Sequence, residues 1–324
     1  MRAAVVDHYG PPEVVTLREV AKPVPREDEV LVRARATTVN SGDARVRGIN
    51  VPGGPLFAFL MRLNLGFNGP KQPVGGFEMA GEVEAVGRDV TAFKVGDRVV
   101  GSHGFRFGLH QEYATFGKGD ALAHIPDGVS YADAVAIMFG GTTAEMFFRK
   151  CGLRAGDTIL INGASGAVGT MAVQLAKYMG AEVTGICGAA NADLVRSLGA
   201  DEVIAYNHED FTQNGRTYDF IMDNHGNAPF SRVKGSLKPG GKHLLVIFDK
   251  LGTFVAAKRN PQVIEAGEAD DPFNSAVYAR LLDLLASGAI GAVIDSTYPF
   301  EKIAEAHRRV DTGRKVGSVV VTFD

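Results

Sequence analysis

Cysteine is nearly missing from this chain: 324 residues hold two, Cys151 and Cys187. A disulfide framework is thereby excluded, and so is a structural zinc site built from four thiolates. A reducing cytoplasm is the compartment this usage suits. Charge of one sign is not in excess either. A net charge of −3 gives no electrostatic case for nucleic acid or an anionic membrane. No apolar run reaches the roughly 18 residues a spanning helix needs. The opening MRAAVVDHYG lacks the apolar stretch of a secretory leader and reads as a first strand and turn. What the chain does have is apolar residues, 45%, and glycine, 40 residues. Its length exceeds one ordinary domain, so two are expected. The glycines suit tight turns and close backbone approach.

The first 127 residues read as β-rich, with short apolar runs at Ala3–Val6, Val30–Ala34, Gly81–Val86 and Arg98–Gly101 between turns such as PVPRED and KVGD. The stretch 49–76 reads as irregular. Its Phe57, Phe59, Leu60 and Met61 leave two readings, a surface loop or a lid over an apolar substrate. From Ser130 the period changes. Ser130-Tyr-Ala-Asp133 has the look of a capping box opening a helix. Strands are expected at Thr158–Asn162, Glu182–Ile186, Glu202–Ile204, Phe220–Asp223 and His243–Phe248. Between the first two, Val168, Met171, Ala172, Leu175, Ala176 and Met179 recur at helical spacing, and Gly180 stops the helix. Strands alternating with helices imply a doubly wound parallel sheet.

Gly163-Ala164-Ser165-Gly166-Ala167-Val168-Gly169 has the G-x-x-G-x-x-G spacing of a dinucleotide fingerprint. The spacing gains force because it follows a strand and opens an amphipathic helix. A pyrophosphate has to reach the backbone N–H groups at the helix N-terminus, where the dipole favours negative charge. Nicotinamide sites that select NAD end the second strand in an acid. Here that place is Cys187-Gly188, and nothing repels a 2′-phosphate. No Arg or Lys occurs in Gly188-Ala189-Ala190-Asn191 either. Asn191 and Tyr206, the latter closing the next strand, are neutral donors in reach, with Arg314 and Lys315 as more distant cations. NADPH is the expected cofactor, with NADH also usable.

Six blocks in order carry a family resemblance: Val39-Asn40 with Asp43, Gly76–Val83 (GFEMAGEV), Lys94–Val99 (KVGDRV), Gly140-Gly141-Thr142-Thr143-Ala144, the glycine loop, and Ser197–Asp201 (SLGAD). The chain resembles the zinc-independent quinone oxidoreductase and enone reductase branch of the medium-chain dehydrogenase/reductase superfamily. The resemblance implies a GroES-like β-rich catalytic domain over residues 1–127 and 272–324, and a Rossmann domain over 128–271. In zinc-dependent relatives a Cys and a His hold the catalytic metal. Asn40 and Phe77 stand in those places and cannot ligate a tetrahedral zinc, so no metal is expected. His103, His110 and His124 lack metal spacing and read as satisfied surface or core residues. The stretch Gly188–Asn191 is similar to the C-G-A-R-N segment of chloroplast-envelope enone reductases, with Ala190 in place of Arg.

The resemblance further implies that Thr143 meets the nicotinamide carboxamide and that Ser165 to Val168 hold the pyrophosphate. Asn224, ending the fourth strand, and Ile247-Phe248, ending the fifth, lie where open sheets bind ligands. Asn40 as donor and Asp43 as proton relay are the candidates at the reacting carbon; the alternative is that they cap a turn. Arg45 and Arg47 read as solvated charges, and Cys187 as a small packing residue. Without a Lewis acid, quinones and α,β-unsaturated carbonyls suit the site better than alcohols. A small hydrophobic electrophile is therefore the expected partner. Two other readings stand beside this one: an alcohol dehydrogenase using another metal site, and a non-catalytic NADPH-binding sensor or crystallin-like protein. Paired sheet edges would suit a homodimer.

Overall fold

A computed structural model describes residues 1–49, 54–248, 250–266 and 273–324, with backbone alone at 251 and 254. The chain divides into two compact units. One comprises Met1–Val51, Ala58–Phe139 and Phe273–Asp324, the other Pro52–Phe57 and Gly140–Pro272.

The first unit opens with an antiparallel pair, β1 (Arg2–Val5) and β2 (Thr16–Glu19). Its main sheet has seven strands. They are β3 (Val30–Val39), β4 (Glu78–Val86), β5 (Arg98–Ser102), β6 (Tyr113–Phe116), β7 (Ala121–His124) and, from the C-terminal segment, β14 (Ile294–Pro299) and β15 (Ser318–Thr322). The order is β14-β15-β3-β4-β5-β7, with β6 also on β3. Every pair is antiparallel except β14 with β15. Strand β3 is central, and VLVRARATTV is apolar enough to be covered nearly throughout. Val32, Met79, Val83, Val99, Val319 and Val321 form its core, each such side chain contributing about 1.5–3 kcal/mol by leaving water.

Helices α1 (Ser41–Gly48), α3 (Tyr131–Ala136), α9 (Ser275–Ala286) and α10 (Ile303–Asp311) accompany this sheet. In α10 the buried residues Ile303, Ala306, His307 and Val310 fall at i, i+3, i+4 and i+7 on one face. Ser130 caps α3, its hydroxyl oxygen accepting from the Asp133 N–H, as the sequence suggests.

The stretch 49–76 is not irregular throughout, because Gly54–Leu65 forms helix α2; residues 50–53 lie outside the described set. The helix escaped detection for a physical reason. Its sequence is apolar on all sides and no residue in it is buried, so it has no polar–apolar period to read.

The second unit holds β8 (Thr158–Asn162), β9 (Glu182–Cys187), β10 (Glu202–Ala205), β11 (Tyr218–Asp223), β12 (Leu237–Leu245) and β13 (Val263–Glu265). Their order is β10-β9-β8-β11-β12-β13 and every pairing is parallel. By rank this is 3-2-1-4-5-6, the doubly wound arrangement that binds dinucleotides at the crevice between its first and fourth strands. Helices α4 (Met138–Cys151), α5 (Ala167–Tyr178), α6 (Ala192–Ser197), α7 (Phe230–Val233) and α8 (Leu251–Lys258) complete it. Residues Gly169–Ala176 of α5 are all buried, a fuller burial than one stripe requires. Strand β12 ends at Leu245, so Ile247 and Phe248 follow the strand rather than closing it.

Among the described residues no helix is long and apolar enough to cross a membrane.

Candidate nucleotide edge and catalytic pocket residues

Strand β8 ends at Asn162, and the chain turns at Gly163, whose φ of +78° favours glycine. The Gly163 and Ala164 N–H groups donate to the Ile186 carbonyl (3.1 and 2.8 Å), pinning the loop to the neighbouring strand. Gly166 then opens α5, and no side chain caps it. The first N–H groups of that helix are thus left for an anion. A Cβ on Gly169 would stand 2.1 Å from the Gly163 carbonyl oxygen, so helix and loop pack with no room for a side chain. A Cβ on Gly166 would meet only that same oxygen at 3.6 Å. A Cβ on Gly140 would stand 2.2 Å from the Ala167 carbonyl. Helix α4 therefore crosses the first turn of α5, and Thr143, three residues on, shares the Gly140 face.

A second turn, after β11, completes the crevice. Asp223 is fully buried. Its carboxylate accepts from the Asn162 side-chain amide (2.8 Å) and from the N–H groups of His225, Gly226 and Ala228 (3.0 Å each). Asn162 also donates to Asn227 Oδ1 at 2.8 Å. This lattice fixes Asn224, whose buried Nδ2 and Oδ1 both lack a hydrogen-bond partner among the described residues. A buried amide with neither end satisfied costs free energy, and Asn224 stands just past the end of β11, at the strand edge where open sheets bind ligands. A Cβ on Gly163 would lie 3.6 Å from the Asn224 Cβ, and one on Gly226 would lie 3.3 Å from Ile247 Cγ2. Phe57 of α2 sets its ring edge-on against Phe248, centroids 5.5 Å apart.

At the far end, Cys187 is buried, and burial pushes its thiol pKa up, as befits a packing residue rather than a nucleophile. A Cβ on Gly188 would meet the Tyr206 hydroxyl at 3.3 Å. The Tyr206 N–H donates to the Cys187 carbonyl (3.1 Å), while the residue is 69% exposed. Asn191 donates from Nδ2 to Ser165 Oγ at 3.3 Å. The residues singled out from the sequence thus form one line along the C-terminal edge: Tyr206 and Gly188, Asn191 and Ser165, Gly163 and Asn224, then Ile247 and Phe248. Arg314 and Lys315 belong to the other unit, where Lys315 Nζ donates to the Gly317 carbonyl (2.7 Å) and burial lowers its pKa to about 8.

In the first unit, Asn40 and Asp43 are both buried and form a capping box on α1. Asn40 Oδ1 accepts from the Gly42 and Asp43 N–H groups (2.8 and 3.1 Å), and Asp43 Oδ2 accepts from the Asn40 N–H (2.9 Å). Asp43 Oδ1 takes the Gly76 N–H at 3.1 Å, and burial raises the Asp43 pKa. Both its oxygens are engaged, which is the capping reading. The buried Asn40 Nδ2 makes no well-formed hydrogen bond among the described residues, and the Glu78 carboxyl is the acceptor within its reach. A Cβ on Gly42 would stand 2.9 Å from both Asn40 Oδ1 and the Phe77 ring. That ring packs against Phe105, Phe107, Phe139 and Phe273 at 4.8 to 6.2 Å.

Sequence reasoning passed over Glu78, although it sits in the GFEMAGEV block. Glu78 is fully buried; its Oε2 accepts from Thr38 Oγ1 (3.0 Å) and its Oε1 has no partner among the described residues. Burial first, then the charge of Asp43, raises its pKa to about 8, with Thr38 and Asn40 pulling the other way. An acid beside two apolar residues was the available signal. Arg47 corrects an expectation: it is buried rather than solvated, because it pairs with Asp311 (2.6 Å) and donates to the Gly10 carbonyl (3.1 Å). His103 and His110 are satisfied by backbone carbonyls. Among the described residues no three His, Cys, Asp or Glu side chains gather as a metal set.

A 3-2-1-4-5-6 parallel sheet with an uncapped helix at its glycine turn is the arrangement of a dinucleotide-binding fold. Comparison with known proteins narrows this. Residues 26–127 match the alcohol dehydrogenase GroES-like domain and residues 198–321 the zinc-binding dehydrogenase family. A quinone oxidoreductase of Pseudomonas aeruginosa is 32% identical, with 97% of each chain covered. The human quinone oxidoreductase is 29% identical over 97% of this chain and 94% of its own. Among solved structures, a quinone oxidoreductase from Coxiella burnetii superposes with a TM-score of 0.86 at 26% identity, covering 99% of both chains. A mycobacterial protein solved with NADPH gives 0.80 at 26% identity over 99% of both. The chain belongs to the quinone oxidoreductase branch of the medium-chain dehydrogenase/reductase superfamily and is an NAD(P)H-dependent oxidoreductase.

Proposed function

We propose that this enzyme reduces quinones or α,β-unsaturated carbonyls with NADPH in preference to NADH, and does so without zinc. The observation that carries the reading is the side-chain amide of Asn40, buried next to the Phe77 ring cluster and within reach of the Glu78 carboxyl. One neutral donor in aromatic surroundings suits a flat substrate that is already electrophilic, where a hydrogen bond to a carbonyl oxygen is help enough. A carboxamide and a phenyl ring supply no metal donor set, so alcohol oxidation through a metal-bound alkoxide has no support from these residues.

The cofactor, when bound, supplies hydride to the substrate carbon. The α5 N-terminus and the loop at Ser165 to Val168 hold its diphosphate. Asn224 offers one donor and one acceptor to a carboxamide, and Thr143 lies on the helix face that crosses the loop. Tyr206 and Asn191 give neutral donors to a 2′-phosphate, and the lack of an acid there removes repulsion. Asn40 steadies the developing oxyanion, and solvent supplies the proton. Glu78, with its pKa near 8, keeps a neutral carboxyl beside the Asn40 amide and spares the pocket a buried anion.

Oxidation of NADPH followed against 1,4-benzoquinone, an enone, a simple ketone and, in reverse, a simple alcohol tests this. Turnover of the quinone or the enone, with neither ketone nor alcohol accepted, is expected. Alcohol oxidation at a rate matching quinone reduction would overturn it.

A further inference from the structure

Helix α2 presents an apolar row to solvent. Its half-buried side holds Phe57, Ala58, Met61 and Leu65. The other side carries Leu56, Phe59, Leu60 and Leu63, at i, i+3, i+4 and i+7. Phe67, just past the helix, extends the row, with its ring edge-on to Phe59 and the centroids 6.4 Å apart. These five residues are 47 to 60% exposed, although a surface helix normally turns its apolar stripe inward. At about 150–250 Å² for a large side chain, they leave on the order of 500 Å² of apolar surface in one patch, toward the upper end for a lone chain.

The row is held outward. Tyr9 Oη donates to the Gly66 carbonyl at 2.8 Å, which pins the end of the helix. The Arg62 guanidinium lies over the Tyr9 ring, 4.9 Å from its centroid, and donates to the Phe67 carbonyl at 2.7 Å. Arg62 is the one charged residue of α2, and these two contacts occupy it. The exposed neighbours of the row, Pro55, Asn64 and Asn68, carry no charge.

A single helix face is convex and encloses no small molecule. Nor does α2 have the belt of Lys and Arg that draws a helix onto a lipid surface. The row does read the same from either end: Leu56 and Leu63 stand symmetrically about Phe59-Leu60. A two-fold axis between positions 59 and 60 would set Leu56 against Leu63 of the partner subunit, and Phe59 against Leu60 of the partner subunit. Pairing of this kind needs a patch complementary to itself, and a row without charge brings no like charges together.

We propose that two copies of this chain pair through antiparallel α2 helices, with Leu60 beside the axis. Two such faces together remove about 1,000 Å² from water, where specific contacts begin, against about 1,600 Å² for a standard interface. The pairing is therefore reversible and depends on concentration.

The test is sedimentation of the full chain from about 1 to about 500 μM, a span suited to a contact of this strength. The mass of the parent should roughly double across the series. Leu60→Glu changes an exposed side chain, so the fold should hold, and it places like charges at the axis. Its mass should stay constant. Leu60→Lys alone should behave the same way. An equimolar mixture of the Leu60→Glu and Leu60→Lys proteins should regain the doubling, because the axis brings position 60 of one copy to position 60 of the other. Each mass is compared with that of Leu60→Glu, so pairing through a sheet edge leaves the comparison unchanged. A parent of constant mass, doubling undiminished in Leu60→Glu, or a mixture that fails to regain it would each overturn the proposal. So would co-sedimentation of a parent of constant mass with phosphatidylcholine vesicles, abolished by Leu60→Glu, which would assign the row to lipid.

Discussion

Asn162 and Asp223 end neighbouring parallel strands and are joined by a 2.8 Å hydrogen bond, amide to carboxylate, with Asp223 fully buried. The bond ties the glycine turn to the turn carrying Asn224, beside the Asn162–Asn227 side-chain bond and the backbone bond from the Asn224 N–H to the Asn162 carbonyl. Asp223→Ala strips three backbone N–H groups and the Asn162 amide of their acceptor. It should cost about 2–4 kcal/mol of stability and weaken NADPH binding further than Asn224→Ala does. Chemical denaturation and cofactor titration of both variants check the order. An Asp223→Ala protein with parental stability and NADPH affinity would contradict it.

The glycine loop makes a paired prediction. Gly166→Val places its Cβ in ordinary contact with the Gly163 carbonyl oxygen, 3.6 Å away, and should keep the fold while losing most NADPH affinity, because the new side chain stands where a diphosphate meets the α5 N–H groups. Gly169→Val drives a side chain into the Gly163 carbonyl, 2.1 Å from its Cβ, and should fail to fold or melt far lower. Circular dichroism with cofactor titration separates the two; equal melting temperatures, or parental NADPH affinity in Gly166→Val, would speak against this geometry.

On the proposed reading, cofactor choice rests on neutral groups. NADPH should bind about tenfold more tightly than NADH, or about 1.4 kcal/mol. Ala190 is exposed, so Ala190→Arg should fold normally and strengthen NADPH binding alone, since only NADPH carries the extra phosphate. Gly188→Asp should favour NADH, although its Cβ would crowd the Tyr206 hydroxyl at 3.3 Å. Dissociation constants for both cofactors decide; a parent that prefers NADH would refute the ribose-end account.

Glu78 gives the pH prediction. Its carboxyl, ordinarily near 4.5, is raised to about 8 by burial. The folded protein holds this proton while the unfolded chain releases it. The stabilisation is therefore full below pH 4.5, falls as pH rises toward 8, and then levels, by at most about 1.4 kcal/mol per pH unit. Glu78→Gln removes the dependence. The stability of the variant relative to the parent should increase from pH 5 to pH 8, read by urea unfolding at each pH; a constant difference would show that Glu78 titrates normally.

Much of the nucleotide edge was legible because its signals are local. The β8 strand and the α5 helix bracket the glycine loop, and each carries its own period in the sequence. Asn224 and Tyr206 followed from strand ends. Asp223, which positions Asn224, was hidden, since a buried acid satisfied by backbone N–H groups looks like any turn aspartate. Glu78 was hidden likewise: its raised pKa comes first from burial and then from Asp43, 35 positions away in the chain. The capping box of Asn40 and Asp43 was foreseen as one of two readings. Helix α2 was missed because its apolar residues are spread around it and none is fully buried, so the sequence carries no clear amphipathic trace. Arg47 was misjudged because its partner, Asp311, is 264 residues distant.

The central claim is hydride transfer to an electrophile without a metal. The most direct measurement is steady-state NADPH oxidation with 1,4-benzoquinone by protein dialysed against a strong chelator, with zinc determined on the same sample. The account predicts less than about 0.1 zinc per chain and an undiminished rate, because Asn40 and Phe77 supply no metal donor set. One zinc per chain before dialysis, with activity lost on its removal and restored by its return, would contradict it.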